Sequence, residues 1–301
     1  MGGELAVTPE SSGAHSSADL LIPSASDLRA NLGGAEAAIL ETFVVPRYLS
    51  LFGEFALDLI AESDEARVAH VNCRTGYPDR GFARRLHGAH VIGVDASSAA
   101  IELARAKAAT MPGMVMSYVV SADLATELPA SAFSHALTLH PTIRPEERGR
   151  LVAELARLLA PYGQGLIALP MRGSFQEIMD LFREYALKFD DSEFGHSVER
   201  ATASRPTVEI LSQELEDAGF DFVDVELRTS TLTFQSGRDF IEDPVSRILV
   251  VPDLRLALAR ADISKPLNYV RDAIDKYWSE APFELTVHVG CGTGRRVAGQ
   301  A

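Results

Sequence analysis

Short apolar runs alternate with amphipathic stretches along most of the chain. The apolar run 66–71 ends in a turn-forming stretch over 72–76, and residues 79–86 suit a helix. The next apolar run, His90–Asp95, closes on an acid. A strand, a turn, a helix and a second strand form half of a doubly wound nucleotide-binding unit. The pattern therefore predicts a ligand crevice at the carboxyl ends of two parallel strands, with Asp95 accepting hydrogen bonds from a ribose.

The same alternation continues as far as residue 170. It predicts strands over 116–120, 133–140 and 165–170, and helices over 99–108, 145–159 and 175–189. Strands and helices that alternate at this interval indicate parallel strands joined by right-handed crossovers. The predicted fold class is therefore α/β, with a doubly wound, mostly parallel sheet of seven strands.

The pattern changes character after residue 189. The polar stretch 190–206 is irregular, and it predicts either an active-site loop or a simple connection. Thr207 can cap a following helix that Gly219 ends. Alternating runs predict an antiparallel hairpin. The remaining predicted elements are the hairpin strands 222–227 and 230–234, helices within 237–258 and 269–278, and a final strand over 283–289.

The two ends of the chain differ from its middle. Residues 1–25 are rich in Ser, Gly, Ala and Glu, which predicts a disordered tail. Helical periodicity over 27–61, interrupted by Pro46, predicts a helical pair that either packs on the sheet or forms a lid over a ligand site. The predicted organisation is a tail, a main domain over 26–240, and a helical extension with a final strand over 241–301.

Composition narrows the classes of partner. The chain has 301 residues, of which 47% are apolar, enough for a full core. Its 28 basic and 42 acidic residues give a net charge of -14, which disfavours nucleic acid and anionic lipid as partners. We predict a cytoplasmic protein, because the sequence has neither a signal segment nor about 20 consecutive apolar residues. Cys73 and Cys291 lack metal-ligand spacing, so no metal site is predicted.

Several short segments occur in a characteristic order. They are 42–48, 68–76, Gly93-Val94-Asp95, Ala122-Asp123-Leu124, Leu128-Pro129 with Phe133, 157–165 and 214–220. In this order they resemble the class I S-adenosylmethionine-dependent methyltransferases, most closely the small-molecule enzymes related to ubiquinone and menaquinone biosynthesis. The resemblance covers about residues 41–240, so the main domain over 26–240 is predicted to be methyltransferase-like.

The resemblance implies a Rossmann-like fold, S-adenosylmethionine as cofactor and a small molecule as methyl acceptor. It implies cofactor-binding roles for Asn72, Cys73, Arg74, Gly76, Asp95, Ala96, Asp123, Leu124 and His140. No catalytic residue is predicted, because methyl transfer depends largely on orientation and desolvation. From their positions alone, His140 could equally be structural and Asp123 could cap a helix.

The first motif departs from the pattern of that family. His70 stands where the family has an acid, and Asn72 and Arg74 replace two of its three glycines, so that only Gly76 is kept. Those glycines let the backbone turn tightly and approach the cofactor. Arg74 could fold outward, pair with the cofactor carboxylate or fill the site. The alternative function is therefore an inactive methyltransferase-fold protein that binds a protein partner in a regulatory or scaffolding role.

A second glycine-rich stretch lies at the end of the chain. Residues 288–294 share the pattern His-Val-x-Cys-x-Thr-Gly with residues 70–76. A glycine loop needs a following helix to bind its ligand, and only seven residues follow Gly294. We therefore predict a terminal strand with a flexible tail. The alternative is a tail that approaches a ligand or a partner through Arg295 and Arg296.

Overall fold

The fold is built around one seven-stranded sheet, seen in a computed structural model that describes residues 32–111, 113–123 and 125–297. Its strands are β1 Arg67–Val71, β2 His90–Asp95, β3 Val115–Val120, β4 Phe133–Leu139, β5 Leu159–Pro170, β6 Phe220–Phe234 and β7 Phe283–Arg296. They lie in the order β3-β2-β1-β4-β5-β7-β6. Strands β1 to β5 are parallel, and β7 is antiparallel to both of its neighbours. The predicted α/β fold is confirmed.

Helices cover both faces of this sheet. They are α1 Gly34–Ile39, α2 Ser50–Leu59, α3 Ser98–Ala108, α4 Arg148–Leu158, α5 Gln176–Lys188, α6 Ser192–Ser204, α7 Val208–Asp217, α8 Gly237–Glu242, α9 Val251–Leu258 and α10 Ser264–Tyr277. Shorter 3-10 helices span Asp79–Arg84 and Pro145–Glu147, and π-helical segments span Leu40–Leu49 and Ser246–Val250. A small parallel pair joins Ser63–Asp64 to Leu86–His87.

The alternation of side chains along β5 produces two hydrophobic cores. Leu166 and Ala168 face one core, while Ile167 and Leu169 face the other. Successive side chains of a strand point to opposite faces, so a central strand covered on both sides is apolar throughout. This explains why 165–170 is recognisable as a buried strand from the sequence.

The connection between β1 and β2 differs from the prediction. The sequence predicts a helix over 79–86, but only the 3-10 helix Asp79–Arg84 forms. Gly81 lowers the helix propensity of the stretch, and Leu86 pairs with Ser63 in the small parallel pair. The helix that ordinarily follows the first strand of such a unit is therefore reduced to a short turn.

The stretch 190–206 is mostly helical, so the prediction of an irregular segment is wrong. Helix α6 begins after Asp191, whose carboxylate accepts a hydrogen bond from the Phe194 backbone N–H at 2.9 Å. Phe194, Val198 and Ala201 recur at helical spacing and are buried. Polar residues separate these apolar positions, so the helical periodicity is hard to recognise in the sequence.

The predicted antiparallel pair at the end of the sheet is present, but its strands are not the predicted 222–227 and 230–234. Strand β6 runs without a turn from Phe220 to Phe234, and its partner is β7. The antiparallel pair at the end of the sheet thus joins two strands that are far apart in the chain. The predicted boundary near residue 240 stays a prediction, although β7 lies between β5 and β6 in the same sheet.

The predicted terminal strand is present and runs further than predicted, from Phe283 to Arg296, so the glycine-rich stretch lies within the strand and not in a flexible tail. A Cβ atom at Gly290 would lie 2.4 Å from Met171 Sδ, and one at Gly292 would lie 2.8 Å from Leu215 Cδ1. A Cβ atom at Gly294 would lie 2.9 Å from the Cβ of Phe220. The glycines therefore let β7 pass close to the side chains that cover it.

The N-terminal helical region is described from residue 32, so the predicted disordered tail lies outside the described residues. The predicted interruption at Pro46 is a π-helical segment, Leu40–Leu49, between α1 and α2. A proline has no N–H to donate within a helix, and the longer π-helical turn accommodates it. In the described part of the chain, no helix combines the length and apolar character needed to span a bilayer.

Candidate cofactor site

Three segments meet at the carboxyl ends of β1 and β4, where the order of the strands in the sheet reverses. The loop 72–76 follows β1, Asp95 ends β2 and His140 follows β4. The Arg74 backbone N–H donates to Asp95 Oδ2 at 3.0 Å, and the Arg74 guanidinium reaches the carbonyl oxygen of His140. In open α/β sheets, ligands bind at this kind of topological switch point. The structure thus brings together three of the residues that the sequence singles out.

The loop after β1 keeps the backbone path of a glycine loop with fewer glycines. Asn72, Arg74 and Gly76 have φ values of 58°, 49° and 77°, all in the left-handed region. A residue other than glycine in that region costs about 1–2 kcal/mol, less for Asn. The Cys73 N–H donates to the Val94 carbonyl oxygen at 3.1 Å, which ties the loop to β2. The two substitutions therefore alter the side chains that the loop presents rather than its course.

Asp95 is buried at the end of β2. Its Oδ2 accepts the N–H of Arg74, and its Oδ1 accepts the N–H of Ser97 at 2.9 Å. The Ser97 hydroxyl donates to the Leu32 carbonyl oxygen at 3.0 Å, so the N-terminal segment lies over this corner. Each carboxylate oxygen can accept a second hydrogen bond. The carboxylate is thus held in a fixed orientation with acceptor capacity to spare.

The side chain of Arg74 lies inside the crevice. Its Nη1 donates to the Leu139 carbonyl oxygen at 2.9 Å, and its Nη2 donates to the His140 carbonyl oxygen at 2.5 Å. Nη2 also lies 3.2 Å from the Thr142 hydroxyl oxygen. Only 9% of the residue is exposed. Of the three outcomes open for Arg74 from the sequence, the structure shows the side chain filling the site.

His140 is a buried, neutral residue beside that guanidinium. Its Nε2 lies 2.9 Å from the Tyr48 hydroxyl, and its ring packs edge to face on Tyr48 and Phe52. Burial lowers the pKa of His140 to about 4, with a further lowering from Arg74 that Asp253 opposes. Burial likewise raises the pKa of Tyr48. At neutral pH this pair can exchange a hydrogen bond but carries no charge.

A second buried network lies beneath the loop, and the sequence did not predict it. Asp79 Oδ1 lies 2.6 Å from His70 Nδ1, and the Tyr118 hydroxyl donates to Asp79 Oδ2 at 2.9 Å. The Tyr118 ring fills the space where Cβ atoms of Gly76 and Gly93 would lie. Asp79 therefore supplies, nine residues later, a carboxylate beside the position where the family has its acid. The only sequence signal is an acid shortly after the motif.

Two small cavities remain in the crevice. One of about 10 Å³ is lined by His70, Asn72, Cys73, Thr75, Tyr77, Leu49, Leu139 and Arg74. The other, of about 50 Å³, is lined by Leu32, Leu40, Thr142, Ile248, Leu249, Pro252, Asp95 and Arg74. A small-molecule site usually offers roughly 300–1,000 Å³. The crevice is therefore closed by the chain itself.

The other predicted residues lie in different surroundings. Cys73 is buried. Its burial, and to a lesser extent the nearby charge of Asp95, raises the pKa of its thiol, as is typical of a structural thiol rather than a nucleophile. Ala96 is buried next to Asp95. Asp123 is exposed and its carboxylate accepts the Ala125 N–H at 3.0 Å, so it does not line the cavity at Asp95. Leu124 lies outside the described residues.

A wider groove, of about 1,090 Å³, lies beside the loop rather than over Asp95. It lies between α2, the 3-10 helix and α3, and two of the cations that line it are paired: Arg84 with Glu54 at 3.2 Å and Lys107 with Glu41 at 2.6 Å. Among the residues that the structure describes, no group of three or more His, Cys, Asp or Glu side chains could hold a metal ion.

Comparison with known proteins gives one sequence match. Residues 68–163, about a third of the chain, match the family model of a methyltransferase domain. This segment spans β1 to the start of β5 and includes the loop, Asp95 and His140. A search of the curated proteins found no match.

Solved structures of similar fold are distant in sequence. The YcgJ protein from Bacillus subtilis is 14% identical, with 83% of this chain and 98% of that chain covered and a TM-score of 0.49. Phosphoethanolamine N-methyltransferase 2 of Haemonchus contortus, in complex with phosphomonomethylethanolamine and S-adenosylhomocysteine, is 15% identical, with 91% and 60% covered and a TM-score of 0.49. The cyclopropane synthase MmaA2 of Mycobacterium tuberculosis is 12% identical, with 81% and 82% covered and a TM-score of 0.48.

Proposed function

We propose that the chain is an S-adenosylmethionine-dependent methyltransferase that acts on a small molecule. The observation that carries the proposal is the placement of Asp95 at the end of β2, joined to a left-handed loop after β1. A carboxylate in that position suits the hydroxyls of a ribose at a switch point. The match of residues 68–163 to a methyltransferase domain supports the same assignment.

Several residues of the chain fit the cofactor, although the space between them does not. Asp95 has acceptor capacity for the ribose, and the loop 72–76 and Ala96 would lie along the bound molecule. The buried carbonyl oxygens of Leu139 and His140 would face its charged end, but Arg74 now occupies them. When bound, the cofactor supplies an electrophilic methyl group on a sulfonium. The guanidinium has to leave before a molecule of that size can enter.

The role of the chain would be to orient the acceptor and to exclude water. Methyl transfer of this kind gains most of its rate from the alignment of the reacting groups. His140 and Tyr48 are hydrogen-bonded to each other, uncharged at neutral pH and absent from the lining of both cavities, so they support the end of β4 rather than contact the acceptor. We assign no catalytic residue. The resemblance of residues 41–240 to enzymes related to ubiquinone and menaquinone biosynthesis supports a small-molecule acceptor.

Calorimetric titration with S-adenosylhomocysteine tests the proposal. The chain is expected to bind it, and Asp95→Asn is expected to weaken binding by about 1–3 kcal/mol, because the amide accepts ribose hydrogen bonds less well. Asp64→Asn is the matched control, since Asp64 is an exposed acid near the other end of β1. A folded chain that releases no heat, or equal losses in both variants, would contradict the proposal.

The position of Arg74 favours a second candidate. A methyltransferase-fold protein whose crevice is permanently filled would not bind the cofactor and would act through a protein partner. The same titration separates the candidates, because the second predicts no binding of S-adenosylhomocysteine by the unaltered chain.

A further inference from the structure

Arg74 is the residue that the two small cavities of the crevice have in common. It is a lining residue of both, with Asn72 on one side and Asp95 on the other. Its backbone has a φ of 49°, which a glycine would adopt without cost. Truncating this one side chain would therefore join the two cavities without disturbing the path of the loop.

The guanidinium is bound as a ligand would be. Its hydrogen bonds go to the carbonyl oxygens of Leu139 and His140 and to the hydroxyl of Thr142, all at the carboxyl end of β4. These groups are buried, so the bonds are shielded from water and strengthened by the charge. Any molecule that enters the crevice has to displace the guanidinium and donate hydrogen bonds to the acceptors that it leaves.

We propose that the Arg74 guanidinium is a latch that competes with the cofactor for the end of β4. This inference rests on the proposed function, since it concerns regulation of the same crevice. Binding of the cofactor requires the guanidinium to leave Leu139, His140 and Thr142, and its return closes the crevice. The latch lowers the affinity for the cofactor.

The helical segments that cover Asp95 would not explain a difference in cofactor affinity between the unaltered chain and an Arg74 variant. Leu40 of the π-helical segment Leu40–Leu49, and Ile248 of the segment Ser246–Val250, line the cavity at Asp95. Their movement is needed for any ligand to enter. Because that movement is common to the unaltered chain and to an Arg74 variant, it cancels when their affinities are compared.

The test compares affinities for S-adenosylhomocysteine by calorimetry in the full chain, with folding checked by thermal melts. Arg74→Gly is expected to bind at least tenfold more tightly than the unaltered chain. Thr142→Val, which removes one acceptor of the guanidinium, is expected to bind about two- to threefold more tightly. The matched control is Arg105→Ala, whose guanidinium also bonds to a backbone carbonyl, that of Tyr118, without lining either cavity. It is expected to leave the affinity unchanged.

Each outcome decides the matter. Equal affinities of the unaltered chain and Arg74→Gly would overturn the latch and leave the proposed function standing. Binding by Arg74→Gly alone would show that the guanidinium fills the crevice permanently, which would overturn the reversible latch and favour the inactive candidate for the unaltered chain. Absence of binding in both folded proteins would overturn the latch and the proposed function together. If Arg74→Gly does not fold, an unchanged affinity of Thr142→Val would overturn the latch.

Discussion

The chain contains two stretches whose sequences resemble a glycine loop, and they adopt different structures: the first is a loop and the second is part of a strand. Residues 70–76 have lost two of the expected glycines yet keep the left-handed turns at Asn72 and Arg74. The stretch Gly290–Gly294 has the glycines but lies within the extended strand β7. In the first, the backbone course is kept and the side chains fill the crevice. In the second, glycines serve the close packing of a sheet. Glycine content alone therefore does not identify a ligand loop.

Different interactions hold the two stretches in place. The loop is fixed by buried polar groups, chiefly Asp95 and Asp79, whereas β7 is fixed by backbone pairing on both sides. Loss of a partner should therefore be the most damaging change near the loop, and added volume the most damaging change in β7.

Asp79→Ala is expected to produce the largest effect. It leaves His70 and Tyr118 buried without their carboxylate partner, which costs roughly 3–5 kcal/mol of unfolding free energy in urea titrations. Glu54→Ala removes an exposed carboxylate that pairs with Arg84, and is expected to change stability by less than about 0.5 kcal/mol. A loss below about 1 kcal/mol for Asp79→Ala would show that the network does not hold the loop.

The pH dependence of stability is expected to be the next largest effect. The pKa of His140 is about 4 in the fold against 6.5 unfolded, so the unfolded chain binds a proton that the folded chain does not. Stability is therefore full above pH 6.5 and falls as the pH drops towards 4, by on the order of 2–3 kcal/mol from this residue.

His140→Phe isolates that contribution. His135 has a lowered pKa of about 4 as well, mainly through burial, and it remains in the variant. The difference in unfolding free energy between pH 7 and pH 4.5 is expected to be smaller in His140→Phe than in the unaltered chain. An identical pH dependence in both proteins would mean that His140 is not buried in its neutral form.

Gly294→Ala tests the packing explanation for β7. Its added Cβ would lie 2.9 Å from the Cβ of Phe220, an atom close to the backbone that cannot move aside easily. We expect a loss of about 1–3 kcal/mol in urea unfolding. Gly149→Ala is the control, because nothing lies within 4 Å of its added Cβ and alanine favours helix α4. Comparable stability of the two variants would contradict the packing role.

Asp123→Ala is expected to have the smallest effect. The carboxylate is exposed and engaged with the Ala125 N–H, so its loss should change the affinity for S-adenosylhomocysteine by less than about twofold. A loss comparable to that of Asp95→Asn would restore Asp123 as a cofactor residue and extend the site along the end of β3.

Much of the sheet could be predicted because its strands are short apolar runs separated by turns. The runs behind β1, β2 and β4 are visible in the sequence without further information. The failures lie where distant parts of the chain decide the structure. Strand β6 pairs with β7 across some fifty residues, and α6 owes its helix to a buried stripe that its polar residues hide. The membrane and metal expectations remain predictions.

The site was predictable in outline and not in detail. The position of Asp95 follows from the end of an apolar run, and the structure indeed joins it to the loop. The direction of the Arg74 side chain depends on the carbonyl oxygens that β4 leaves at its end. The role of Asp79 depends on His70 and Tyr118 coming together in the fold. None of these contacts has a signature at fixed spacing in the sequence.

A crystal structure of the chain with S-adenosylhomocysteine would test the central claim most directly. The account predicts the ribose at the Asp95 carboxylate and the Arg74 guanidinium withdrawn from the carbonyl oxygens of Leu139 and His140. A ligand bound elsewhere, or an Arg74 side chain still bonded to the end of β4 with the ligand in place, would contradict it.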